Sequence, residues 1–273
     1  MTRYAAPRAG TLPGADNVVV AGLALPSGTQ IAGDPAYGMA GATAQPVAWV
    51  SREPVANVGA LWRDLADRFA DTGLWPLVMS EQRNAGGRPW LSGELAPSRT
   101  TDPNLFDAAG VLDEKWRWVI PVPSERAEAM LVVHPFTRDF PGLAPAIAGD
   151  DSQALDAVAA ELTGRLGLVA VERPADAVAA LGWMGAVNYD LDMGALAAVL
   201  RSWELRFGAY VVGIGFNTLT LGVQRPPTSM EQAFAIAAEH FAICSDIVYQ
   251  GAGSLEAYAA EILERPVWSL WWD

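Results

Sequence analysis

The chain has 273 residues, of which 51% are hydrophobic, 18% charged and 9% aromatic, a globular composition that excludes disordered, collagenous and disulfide-stapled classes. Eighteen basic residues against 31 acidic ones leave a formal charge of −13, a field that repels phosphate backbones and argues against nucleic acid as a partner. Cys244 is the single cysteine, which rules out an intrachain disulfide or a Cys-rich zinc site and fits a reducing cytoplasm.

The early apolar run Val18 to Pro26 follows Asp16 and has only Arg3 and Arg8 before it, so no secretory signal is expected. The longest later apolar stretch, Ala209 to Phe216, is far below the ~20 residues a bilayer-spanning helix needs, and no membrane association is expected. Length favours two sub-domains, residues 1–145 and 150–273, joined in the Pro- and Gly-rich acidic segment Thr137 to Asp151.

In chain order, Met1 to Gly14 carries Pro and Gly without period and is expected to fray. Gln45 to Ser51 reads as a strand. Leu61, Leu65 and Phe69 then recur at helical spacing opposite Arg63, Asp64, Asp67 and Arg68, and Gly73 closes that helix. Leu74 to Met79 reads as a second strand, which Pro76 assigns to a sheet edge or a bulge, and the β-α-β order suggests a parallel crossover. Ser80 to Pro103 is a long irregular surface segment. Trp116 to Val122 and Leu131 to Phe136 alternate enough to be read as strands.

The second half is more regular. Ser152 caps a predicted helix through Arg165, and Gly167 precedes a strand, Leu168 to Val171. Pro174 opens a short helix to Leu181. Leu196, Leu200, Trp203 and Phe207 line one face of a helix over Gly194 to Phe207, ended by Gly208. Tyr210 to Phe216 and Thr218 to Gln224 form a hairpin linked at Asn217, and Pro226-Pro227 ends it. Ser229 caps a helix to about Ile243, with Glu231 in its first turn, and a last helix runs from Ser254 to Glu264 before the terminal WSLWWD. The order of elements predicts an α/β or α+β fold: a mixed sheet with a β-hairpin and packed helices in two sub-domains.

The strings RPADAVAALGWMGAVNY, LRSWELRFGAYVVGIGFNTLTLGVQRPP, AAEHFAICSDIVYQG and WSLWWD together resemble the bacterial family catalogued as domain of unknown function 4253, over roughly Arg173 to Asp273. TGLWPLVM and RPWLSGEL are similar to the N-terminal part of actinobacterial members. The resemblance implies no reaction and transfers no catalytic residue. Where Phe-Cys-Pro-Asp is expected the chain has Ile243-Cys244-Ser245-Asp246, so the bend between Cys and Asp lacks its proline.

The chemistry-bearing constellation is Glu239-His240-x-x-x-Cys244-x-Asp246. A helix to Ile243 sets His240 and Cys244 at i and i+4, where an imidazole can help deprotonate a thiol and Asp246 can orient the ring. The plainer alternative is that these residues pack a helix end, with Asp246 accepting backbone N–H groups in the following turn. A metal would need a distant fourth ligand, and His134 is the only other imidazole, so no metal and no cofactor are expected.

Arg201, Arg206 and Arg225 could grip an anion, or Arg201 could simply pair with Glu204 at i+3. Trp268, Trp271 and Trp272, ending in Asp273, either close the core or frame a groove or dimer contact. Nucleotide-binding and common hydrolase motifs find no fitting context. The first functional expectation is a non-enzymatic, acidic, cytoplasmic binding or regulatory module for a basic protein. The alternative is a hydrolase or transferase using His240 and Cys244.

Overall fold

The computed structural model describes residues 4–16, 18–82, 87–120, 132–149 and 154–273. A two-stranded antiparallel ribbon, β1 (Val19–Val20) and β2 (Leu23–Ala24), precedes the main sheet. The first main-sheet elements are β3 (Gly28–Ala32), β4 (Pro46–Ser51), helices α1 (Val58–Ala66) and α2 (Phe69–Thr72), and β5 (Leu74–Met79). Then come α3 (Ala108–Val119), α4 (Ala154–Glu161), β6 (Arg165–Ala170), α5 (Ala177–Leu181) and α6 (Met193–Phe207). The chain ends with the hairpin β7 (Ala209–Ile214) and β8 (Thr218–Val223), helix α7 (Met230–Ile243), a π-helical turn over Ile247–Ala252, α8 (Leu255–Ile262) and β9 (Val267–Trp271).

The seven strands lie in the order β3-β4-β6-β5-β7-β8-β9, antiparallel throughout except for the parallel pair β5 and β7. This is an α+β fold with a mixed sheet and the expected hairpin. Strands on either side of residues 145–150 share that one sheet, because β6 inserts between β4 and β5. β4 and β5 run parallel to each other, as a crossover would place them, but with β6 between them.

Helices cover both faces. On one, Leu155 of α4 lies over Gly222 of β8, and Gly59 of α1 meets Ala159 of α4. On the other, Leu219, Leu221 and Val223 of β8 and Trp268 and Leu270 of β9 are fully buried beneath α6 and α7. The left-handed caps expected at Gly73 (φ 62°) and Gly208 (φ 60°) are present, where a Cβ would be strained. Ser229 and Ser254 cap their helices by accepting from the Gln232 and Ala257 N–H groups.

Five sequence expectations are corrected. Pro76 sits inside the sheet, not at its edge. The β5–β7 ladder covers only Val78 and Met79, and alongside Pro76 indoles replace it: Trp62 Nε1 donates to the Pro76 carbonyl (2.8 Å) and Trp75 Nε1 to that of Val211 (2.7 Å). The missing proline N–H therefore costs the sheet no bond on that side.

The segment Trp116 to Val119 is helix, not strand. Asp107 caps α3 by accepting from the Gly110 N–H, and Val111, Leu112, Lys115 and Trp116 share its buried face. Residues 121 and 122 lie outside the described residues, as do Leu131 and the expected cap Ser152. Over 132–136 the chain turns, with Phe136 N–H donating to the Val133 carbonyl, so no strand forms there. The α4 helix stops at Glu161, and both Arg165 and Gly167 belong to β6. The N-terminal stretch from Tyr4 does not fray: Tyr4 packs on Trp75 and Tyr210, and Gly10 N–H donates to the Gly73 carbonyl.

Candidate functional site

The apolar face of α7 turns Glu239 and His240 inward, and both are completely buried. Glu239 accepts four hydrogen bonds, from Arg206 Nη1 and Nη2 and the Ala144 N–H (all 2.6 Å) and from Trp203 Nε1 (2.8 Å). A buried carboxylate with every acceptor site occupied ties α6, α7 and the segment at 144 together. His240 Nδ1 shares a hydrogen bond with the Tyr258 hydroxyl (2.9 Å), and the ring lies 4.5 Å from Trp268 and 4.7 Å from Trp203 between centroids. Burial, with the Arg206 cation adding to it, lowers the imidazole to about 3, so it is neutral at physiological pH.

Cys244 follows α7 and is also buried. Its thiol donates to the Trp271 carbonyl on the outer edge of β9 (2.9 Å), and burial pushes its ionisation far above the ordinary range. The Cys244 N–H donates to the His240 carbonyl (2.9 Å) where the helix ends, but the two side chains do not meet: the imidazole turns to α8 and the thiol to β9.

Asp246 binds elsewhere again. Its Oδ1 accepts from Gln250 Nε2 (2.9 Å) and its Oδ2 from the Asp273 N–H (2.8 Å), while its own N–H donates to the Tyr189 hydroxyl (3.1 Å). The Tyr189 hydroxyl also bonds Ser245 Oγ (3.0 Å). The serine at the expected proline position is therefore anchored through its side chain, and this tyrosine holds the bend in place of a ring. Burial keeps the Tyr189 phenol protonated. Tyr189 was not singled out in the sequence, where only its place in a loop before α6 was visible.

The arginines are engaged internally. Arg201 pairs with Asp176 (2.5 and 2.9 Å) and donates to Asn104 Oδ1 (2.7 Å). The expected i, i+3 partner, Glu204, instead accepts from Arg173 and from the Ala175 N–H. Arg206 belongs to Glu239, and Arg225 Nη2 donates to the Leu205 carbonyl (3.2 Å).

The tryptophan tail closes the core. Trp268 packs between His240, Trp203 and Phe207, and Trp272 donates to the Ile243 carbonyl (2.8 Å) and stacks edge-on to Trp183 at 5.3 Å. Trp271 is half-buried and contributes its carbonyl to Cys244. This tail is strand β9, an element the sequence reading did not assign.

Beside Trp183 opens a cleft of about 270 Å³ between the segment at 96–100 and the loop that leads into α6. Met184, Val187, Leu191 and Met193 line it, with Arg99, Asp190 and Asp192. Lys115, the one lysine of the chain, is buried on α3 and donates to the Asp190 carbonyl (2.8 Å), fixing that turn from behind. Asp190 adopts a left-handed conformation (φ 48°), which aspartate tolerates better than most side chains. Among the described residues no group of three or more His, Cys, Asp and Glu side chains could hold a metal ion, and no helix is long and apolar enough to cross a membrane.

No curated protein and no solved structure matches the chain. Its C-terminal part, residues 165–273, which carries β6 to β9, the buried His240 and Cys244, and the loop around Tyr189, matches the family described as "Domain of unknown function (DUF4253)".

Proposed function

We propose that this protein is a non-enzymatic binding module of the cytoplasm whose partner is a basic protein, a regulatory or immunity-type role in which the acidic surface speeds encounter. The observation that carries this reading is the internal use of the chemistry-bearing residues: Glu239, His240, Cys244 and Asp246 are each bonded within the fold, in a chain whose formal net charge is −13. A Cys/His hydrolase or transferase would need the thiol released from the Trp271 carbonyl and the imidazole from Tyr258, and neither residue lines the described cleft.

The test is to recover the partner from the native host, purify it, and measure association with the purified protein at several ionic strengths. A saturable complex with a basic protein, whose on-rate falls as salt screens charges beyond about 8–10 Å, supports the module. An acidic partner, or an on-rate indifferent to salt, overturns it.

A further inference from the structure

We propose that the cleft beside Trp183 receives one arginine or lysine side chain of that basic partner. This rests on the binding-module reading and adds the place of contact. Its volume of about 270 Å³ lies just under the ~300–1,000 Å³ usual for small-molecule sites, which suits a single inserted side chain better than a cofactor. The walls supplied by Met184, Leu191 and Met193 match the aliphatic stem of a basic side chain, and Trp183, itself almost fully buried, closes the floor.

The charges lining the cleft differ in availability. Asp192 already accepts from the Thr101 N–H, the Thr101 hydroxyl and the Gly194 N–H. Asp190 is exposed, and among the described residues its carboxylate makes no hydrogen bond or ion pair, whereas its main chain is held by buried Lys115. A carboxylate left open on a pinned backbone is pre-organised to meet a cation. Arg99, the lining cation, donates to the Gly38 carbonyl (3.3 Å) and forms no ion pair with either aspartate. Around the mouth Val187 is 58% exposed, and Trp118, 57% exposed, packs on Tyr189 next to Asp190. Apolar surface of this kind flanks the anchor of a protein interface.

The experiment titrates the full chain with N-acetyl-arginine amide, its uncharged isostere N-acetyl-citrulline amide and N-acetyl-glutamate amide, followed by NMR at the Trp183 indole and the Asp190 amide. Saturable shifts with the arginine probe and none with citrulline are expected. Asp190→Asn, which keeps a residue tolerant of the left-handed turn, should weaken the arginine probe about fivefold, the scale of a partly exposed ion pair. Met184→Trp, which fills the cleft, should abolish binding with an unchanged melting temperature. Equal shifts with citrulline, preference for glutamate, or an Asp190→Asn protein that binds arginine as before overturns the proposal.

The purified partner separates the two levels. If its binding keeps its salt dependence yet ignores Asp190→Asn and Met184→Trp, this cleft is not the contact and the module reading stands. If the arginine probe behaves as expected but the native partner is acidic, the module reading fails instead.

Discussion

Acidification should cost this protein stability through His240. The imidazole is fully buried and its pKa is lowered to about 3, whereas in the unfolded chain it takes up a proton near 6.5. Between those values the unfolded state binds the extra proton, so stability is whole above pH 6.5 and is lost as pH falls toward 3. The loss is about 1.4 kcal/mol per pH unit once the unfolded imidazole is protonated, or roughly 2–3 kcal/mol between pH 7.5 and 4.5, against a total of about 5–15 kcal/mol for a domain. Glu204 works oppositely: burial raises its carboxyl to about 7, so it gains a proton first in the folded chain and adds stability as pH falls from 7 toward 4.5.

The informative measurement is therefore a difference between proteins. Urea unfolding of wild type and His240→Gln, followed by tryptophan fluorescence at pH 7.5 and 4.5, cancels the Glu204 contribution and the fixed packing cost of the substitution. Wild type should lose roughly 2–3 kcal/mol more than the variant on acidification. Equal losses would refute the reasoning, as would an imidazole resonance of His240 that titrates near pH 6.5 in the folded protein.

Four further outcomes are expected. Cys244 should resist a thiol reagent in the native protein and react stoichiometrically once unfolded; rapid native labelling would show that the thiol reaches solvent. Glu239→Gln should cost about 3–5 kcal/mol in chemical unfolding, because it leaves the Arg206 guanidinium without its buried counter-charge, and a loss below 1 kcal/mol would contradict that. Deleting Trp268 to Asp273 removes two buried indoles worth about 2–3 kcal/mol each together with an edge strand, so cooperative thermal unfolding should disappear; an unchanged transition would make the tail a free arm. Tyr189→Phe should cost about 1–3 kcal/mol by leaving Ser245 Oγ and the Asp246 N–H unpaired, read from the unfolding midpoint.

The second half was legible where local signals agree with tertiary demand. Ser229, Gly208 and the alternating Leu219, Leu221 and Val223 mark cap, stop and strand by chemistry that does not depend on distant residues. The first half failed where they do not. The run Trp116 to Val119 alternates as a strand would, yet Asp107 and the pair Leu112–Trp116 place it on a helix face, a longer period that a short window misses. Pro76 was misplaced because nothing local reveals that indoles from Trp62 and Trp75 would satisfy its surroundings. For the candidate site, the helix ending at Ile243 was read correctly, but Cys244 lies just past it in a non-helical conformation, and the partners that decide the chemistry of His240 and Cys244, Tyr258 and Trp271, are chosen by the fold. The cleft was invisible for the same reason: Trp183, Lys115 and Asp190 meet only in three dimensions.

The insertion of β6 between β4 and β5 has a kinetic consequence. The first half of the chain holds two strands that cannot complete a common sheet until a third, pairing Leu74 with Ala170 and Trp49 with Leu168, arrives from the second half. Nucleation must bridge that separation before the contacts reward it, which makes folding slow for the size of the protein and exposes the Trp49 and Trp75 strands to strangers in the interval. A chaperone that shields the early strands would act in that interval.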